Sequence, residues 1–230
     1  MKIYSIPTTL TATMLVALVS LNATAHEAGD WILRIGAVNV AVDASSSTIS
    51  TAATGALAGT AVSVGDNSQL GLNLMYMWSD NIGIEALAAT PFEHDISAAG
   101  LDQYGYSTTD IGSSKHLPPT FSALYFLGNS SSAFRPYVGV GVNYTTFFST
   151  SLSNDAKTEL GAHNLDLDDS FGLTVRAGFD WQLFDNWMLN ASVWKIDIDT
   201  DASFDSALGK VKVGVDLDPW VYMISLGYKF

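Results

Sequence analysis

The residues of this chain that could do acid–base or ligand chemistry are few, and their spacing excludes most of it. Four histidines, His26, His94, His116 and His163, have no metal-motif spacing. His94 and His116 flank one segment and are placed to meet if it folds back; taken singly, all four read as surface histidines. Asp166, Asp168 and Asp169 resemble a cation-binding cluster without the glycine of an EF-hand loop. They read as a solvated acidic loop, with divalent bridging to lipopolysaccharide as the alternative. No glycine-rich loop opens a helix, so a phosphate cradle is absent. Serines are numerous but lack a nucleophile-elbow context. With no cysteine, thiolate zinc, disulfides and a Cys nucleophile are excluded. No enzyme centre and no cofactor is expected. The chemistry that remains is electrostatic: Arg34, Glu85 and Arg176 share one face of the strands that must carry them.

Composition says what those strands are. Charged residues make up 14% of the 230, against about 25% in ordinary globular chains. Hydrophobic residues make up 48%, yet past the N-terminus no run approaches the roughly 18 apolar residues of a spanning helix. Ten Lys+Arg against 23 Asp+Glu give −13, the wrong sign for a nucleic-acid partner. Few charges, many apolar residues and no long apolar run point to a membrane protein built from strands. The N-terminus reads as an address: Lys2, a short apolar core at 14–19, and Ala23-Thr24-Ala25 before His26. This is a secretory signal over residues 1–25, and no cysteine follows it to carry a lipid. Residues 26–230 are expected to form one domain in a bacterial outer membrane.

Strand signals recur at 31–43, 69–79, 82–96, 117–127, 134–148, 171–184, 187–199 and 210–230. Tight turns at Asp80-Asn81, around Asn129 and at Asp185-Asn186 alternate with Ser/Gly/Asp-rich loops at 44–67, 97–116, 149–169 and 200–209. The fold class is all-β: an eight-stranded antiparallel transmembrane β-barrel with short periplasmic turns and longer extracellular loops. Alternation gives each strand two faces. Phe171, Leu173, Val175, Ala177, Phe179, Trp181 and Leu183 oppose Gly172, Thr174, Arg176, Gly178, Asp180 and Gln182. Trp220, Tyr222, Ile224, Leu226, Tyr228 and Phe230 oppose Val221, Met223, Ser225, Gly227 and Lys229. The large apolar face should meet outer-membrane lipid and the small, polar face the lumen. The parity of the fourth strand stays ambiguous.

The strings HEAGDW, QLGLNLMY, DNIGIEALAATPFEHDI, HLPPTFSALYF, FRPYVGVGVNYTTFF, WMLNASVWKIDIDT and LDPWVYMISLGYKF run in order along the chain. Together they resemble the OmpW/AlkL family of small outer-membrane barrels, nearer to its OmpW members. The long loops match poorly. The resemblance implies an eight-stranded barrel with a narrow hydrophobic channel and passive uptake of small hydrophobic solutes, hydrocarbons among the AlkL-like members. The terminal Phe230 and its alternating aromatics resemble the signal read by the barrel-assembly machinery.

The apolar face changes side near the outer strand ends. Val211, Val213, Val215 and Leu217 share the lumen parity of Met223, while Lys212, Asp216 and Asp218 oppose them. Trp194, Ile196 and Ile198, and Val38, Val40 and Val42, behave alike. These strands should rise above the membrane, wet outside and apolar inside, forming a funnel for an apolar guest; packing into a plug is the alternative. Leu87 and Trp194 are expected at its floor. Below them Arg34, Glu85 and Arg176 should pair, because charges in a narrow lumen cannot stand alone. That cluster reads as a structural plug, with a catalytic Glu85 as the lesser alternative. Pro91 interrupts the third strand and Pro118 and Pro119 the fourth; proline gives no ladder hydrogen bond. A lateral opening at that seam would release cargo into the bilayer, unless these prolines merely end the ladder. The competing function is a barrel anchor or surface receptor whose loops bind an external partner.

Overall fold

The computed structural model describes residues 26–230; the signal segment read at residues 1–25 lies outside the described residues. Eight strands build the wall: β1 (Trp31–Ala41), β2 (Asn67–Met77), β3 (Ile82–Ala89), β4 (Thr120–Phe126), β5 (Phe134–Leu152), β6 (Ser170–Phe184), β7 (Trp187–Ile196) and β8 (Trp220–Lys229). Each pairs antiparallel with its chain neighbour, and β8 returns to β1 with Ile32 opposite Lys229 and Ala41 opposite Trp220. The ring is therefore closed, as a bilayer demands, because hydrocarbon offers nothing to an unpaired edge. Tight connections join β2 to β3 and β6 to β7; in the latter Asp185 adopts φ 41 beside Asn186, a left-handed position that aspartate tolerates. Long segments emerge only from the opposite end.

The two faces obey the alternation. Leu173 and Ile224 are 67% and 65% exposed on the outside, whereas Asn143 and Asn190 are fully buried in the lumen. The molecule is a wall with grease outward and polar groups inward. The fourth strand, undecided by pattern, points Phe121 and Tyr125 outward and Ser122, Leu124 and Phe126 inward. Its reading was masked by the near-uniform bulk of Phe-Ser-Ala-Leu-Tyr-Phe. The lumen is so narrow that glycine is required in places: a Cβ on Gly178 would lie 2.6 Å from the Tyr137 hydroxyl.

Above the wall the long segments are mostly paired strand rather than loop. Phe92–Ala99 pairs with Asp110–Leu117, which in turn pairs with the upper part of β5. Asp199–Ser206 and Gly209–Asp216 form a hairpin where a loop at 200–209 is expected from Ser/Asp/Gly content. The physical reason is that one face of these segments covers an apolar interior, and such backbone needs partners. Alternation is preserved: Val211, Val213, Val215 and Leu217 are buried while Lys212 and Asp216 are exposed. A short helix, α1 (Asn154–Glu159), is capped by Ser153, whose hydroxyl accepts from the Ala156 N–H at 2.9 Å.

Candidate functional site

The lumen is layered from its periplasmic end upward. Lowest is an apolar girdle including Ile32, Met75, Met77, Phe126 and Met188. Within and above it sits an ionic network assembled from five wall strands and the segment before β1. Arg34 on β1 donates from Nη1 to Glu85 Oε2 at 2.9 Å and from Nη2 to Asp180 Oδ2 at 2.6 Å. Arg176 on β6 ion-pairs with Glu85 Oε1 and donates to the Tyr137 hydroxyl at 2.7 Å. Asn190 on β7 donates to the Tyr137 hydroxyl and to Asp180 Oδ1, both at 2.9 Å. Below, His26 Nε2 bonds Asp180 Oδ2 at 2.9 Å, and Arg135 donates to His26 Nδ1 at 3.1 Å. An arginine can only donate, so Nδ1 accepts and Nε2 carries the proton. Arg135 also donates to the Asp80 carbonyl at 2.7 Å, tying the network to the β2–β3 turn.

The structure thus brings Arg34, Glu85 and Arg176 together, and adds members that pattern reading passed over: Asp180, Arg135, Tyr137, Asn190 and His26. Asp180 was legible, since it lies four residues from Arg176 and so on the same face. Removing one partner from such a set costs about 3–5 kcal/mol because a buried charge is left uncompensated.

Directly above the network lies Trp194. It is the register partner of Arg176 across the β6–β7 ladder, and the guanidinium carbon stands 4.2 Å from its ring centroid. Leu87, Val38, Ile196 and Met223 are buried with Trp194 in one apolar cluster, which forms a floor. Over that floor opens a chamber with a cavity volume of about 90 Å³. Val40, Val213 and Val215 line it, with Ile198, Leu217 and Phe147. Its lining comes almost wholly from apolar side chains of the upper ladders. A water-filled pore would need polar walls and many more strands.

At the third-strand seam the ladder is broken. β3 pairs with β4 up to Leu87 opposite Thr120, and pairing resumes with Phe92 opposite His116. Between these points no ladder pair joins residues 88–91 to 117–119, the stretches holding Pro91, Pro118 and Pro119. The other neighbours stay attached: Thr90 N–H donates to the Leu70 carbonyl at 3.0 Å, and Tyr144 N–H to the Pro119 carbonyl at 3.1 Å.

Three histidines read as surface residues are not on the surface. His26 is enclosed in the plug, and His94 and His116 are 5% and 6% exposed inside the chamber. The reason is that the inward parity runs on past the membrane: Phe92, His94, Ile96 and Ala98 all face in. His94 and His116 do meet, with ring centroids 4.9 Å apart. His163 remains exposed. In the acidic loop, Asp169 accepts from the Tyr144 hydroxyl at 2.6 Å and the Phe147 N–H at 3.1 Å, bonds that hold its carboxyl below the usual range. Among the described residues no group of three or more His, Asp or Glu is placed to hold a metal ion.

Comparison with known proteins matches this architecture. Outer membrane protein W of Vibrio cholerae is 47% identical over 218 residues, covering 94% of this chain and 96% of that protein. Outer membrane protein AlkL of Ectopseudomonas oleovorans is 27% identical over 211 residues, covering 89% and 84% respectively. The crystal structure of the outer membrane protein OprG from Pseudomonas aeruginosa superposes with a TM-score of 0.85 at 43% identity, covering 90% of this chain and 99% of that one. The OmpW family profile matches residues 27–230, and the chain, a closed eight-stranded outer-membrane barrel, belongs to the OmpW family.

Proposed function

We propose that this barrel is a passive channel for small hydrophobic molecules. The observation that carries the reading is the apolar chamber above a sealed ionic plug. An apolar solute entering from outside gains about 25 cal/mol for each Å² of surface taken from water. It has no favourable way down, since the lumen beneath Trp194 is filled by the buried ion pairs of Arg34 and Arg176 with Glu85 and Asp180. The interrupted ladder at Pro91, Pro118 and Pro119 offers the alternative of lateral release into the bilayer. In this reading Leu87, Trp194, Val38, Val40, Ile196, Val213, Val215 and Met223 form the constriction and its walls, and Arg34, Glu85 and Arg176 keep the barrel shut to water and ions.

The same reading proposes that residues 1–25 are removed on export, that Phe230 is presented to the barrel-assembly machinery, and that the outer rim contacts lipopolysaccharide. The anchor or receptor alternative is weaker, because a pure anchor has no need of an apolar mouth. Transfer of decane across proteoliposomes tests the channel directly. The native barrel should raise transfer above that of protein-free vesicles, and Val213→Asp with Val215→Asp should remove the gain. Unchanged transfer in that variant would overturn the proposal.

A further inference from the structure

The chamber is not uniformly apolar: besides the hydroxyls of Thr51, Ser114, Thr145, Thr200 and Ser206, a pair of imidazoles lines it. His94 lies on Phe92–Ala99 and His116 on the adjoining Asp110–Leu117, so the extension ladder itself sets them side by side. Their rings stack at 11°, with Phe92 stacked on His116 at 5.3 Å and Phe147 tilted against it at 5.8 Å. His94 Nδ1 bonds the Gly65 carbonyl, so Nδ1 holds the proton and donates. Its Nε2 is therefore a bare lone pair, and it is buried without a hydrogen-bond partner. The His116 ring makes no hydrogen bond among the described residues. Burial, reinforced by His94, pushes its pKa down to about 3, so at neutral pH it is an uncharged ring with one N–H and one lone pair.

A pair of this kind asks for a guest that can both accept and donate. A bare hydrocarbon leaves His94 Nε2 unmet, and a buried unmet polar atom is costly. A carboxylate would bring charge into an apolar, acid-free chamber wall. Stacked rings aim their lone pairs side by side rather than at one point, which does not suit a metal ion. A hydroxyl on an otherwise hydrocarbon molecule satisfies both needs, its O–H donating to one nitrogen and its oxygen accepting from the other ring.

We propose that His94 and His116 form a hydroxyl-recognition site in the chamber, which selects apolar alcohols over the corresponding hydrocarbons. This rests on the channel reading and names the solute class it favours. The test uses the full barrel in lipid nanodiscs with 15N-labelled histidine, titrated with 1-decanol and with decane. The expected result is movement of the His94 Nε2 resonance with 1-decanol only, and about tenfold tighter binding of the alcohol than of decane. His94→Phe with His116→Phe should bring alcohol binding down to that of decane. The 15N signal of the native protein decides the matter even if that variant does not fold. Decane bound with no preference for the alcohol would overturn this site and leave the channel standing. Neither probe bound would overturn both.

Discussion

Trp194 and Arg176 face each other across the β6–β7 ladder, the guanidinium carbon 4.2 Å from the indole centroid. The contact marks the level where the lumen changes from ionic to apolar, and one side chain serves both: its lower face meets the cation and its edges meet Leu87 and the valines' cluster. Trp194→Ala should cost about 3–5 kcal/mol, the range for truncating a large buried aromatic. On the proposed lateral route decane transfer should persist, because the plug below still seals the lumen. Thermal unfolding in micelles and the transfer assay check the two halves separately.

The plug predicts a different signature. Glu85 engages both Arg34 and Arg176, so Glu85→Gln leaves Arg176 without its carboxylate and Arg34 with Asp180 alone in a dry lumen. The expected loss is about 3–5 kcal/mol. Replacing Glu85 and Arg176 together by Met should lose less than the sum of the single changes. A double-mutant cycle in urea, read by heat-modifiable mobility, measures that coupling.

The seam makes a kinetic prediction. Replacing Pro91, Pro118 and Pro119 by Ala restores three backbone N–H groups at the break in the β3–β4 ladder. The triple variant should transfer alkanes more slowly than the native barrel while remaining at least as stable. Alkane transfer at the native rate would refute the lateral route.

Acid should loosen the upper ladders before the wall. Burial lowers His94 and, more strongly, His116, which is driven to about 3. For His94 the Gly65 carbonyl, Asp66 and Asp95 oppose the shift but do not reverse it. The unfolded form binds protons first, near 6.5, so stability is complete above that value and falls as pH drops from about 6.5 toward about 3. His116 contributes up to about 1.4 kcal/mol per pH unit in that window. Hydrogen exchange at Phe92–Ala99 against pH checks this, and His116→Phe should flatten the profile.

Much of this was legible in the sequence, and the failures have physical causes. Strand parity placed Leu173 and Ile224 outside and Val213 inside because period-two alternation survives wherever one side is lipid or an apolar interior. It failed in β4, where bulky residues fill both faces. The hairpin at Asp199–Ser206 and Gly209–Asp216 was hidden by its Ser and Asp content, which marks a wet outer face as readily as a loop. His94 and His116 were misjudged because histidine was read by residue type; their inward parity with Phe92 and Ile96 carried the information. Arg135 and His26 show a further limit, since their contact across the lumen joins residues that no local pattern links.

The central claim is that the wall turns its grease outward at mid-height and inward at the mouth. Spin labels at Leu173→Cys, Ile224→Cys, Ile196→Cys and Val213→Cys, read for collision with oxygen and with a water-soluble nickel chelate in a lipid bilayer, test it most directly. The account predicts oxygen-dominated collision at Leu173 and Ile224 and protection from nickel at Ile196 and Val213. Bulk-water accessibility at Ile196 and Val213, with no acyl-chain contact at Leu173 and Ile224, would contradict it.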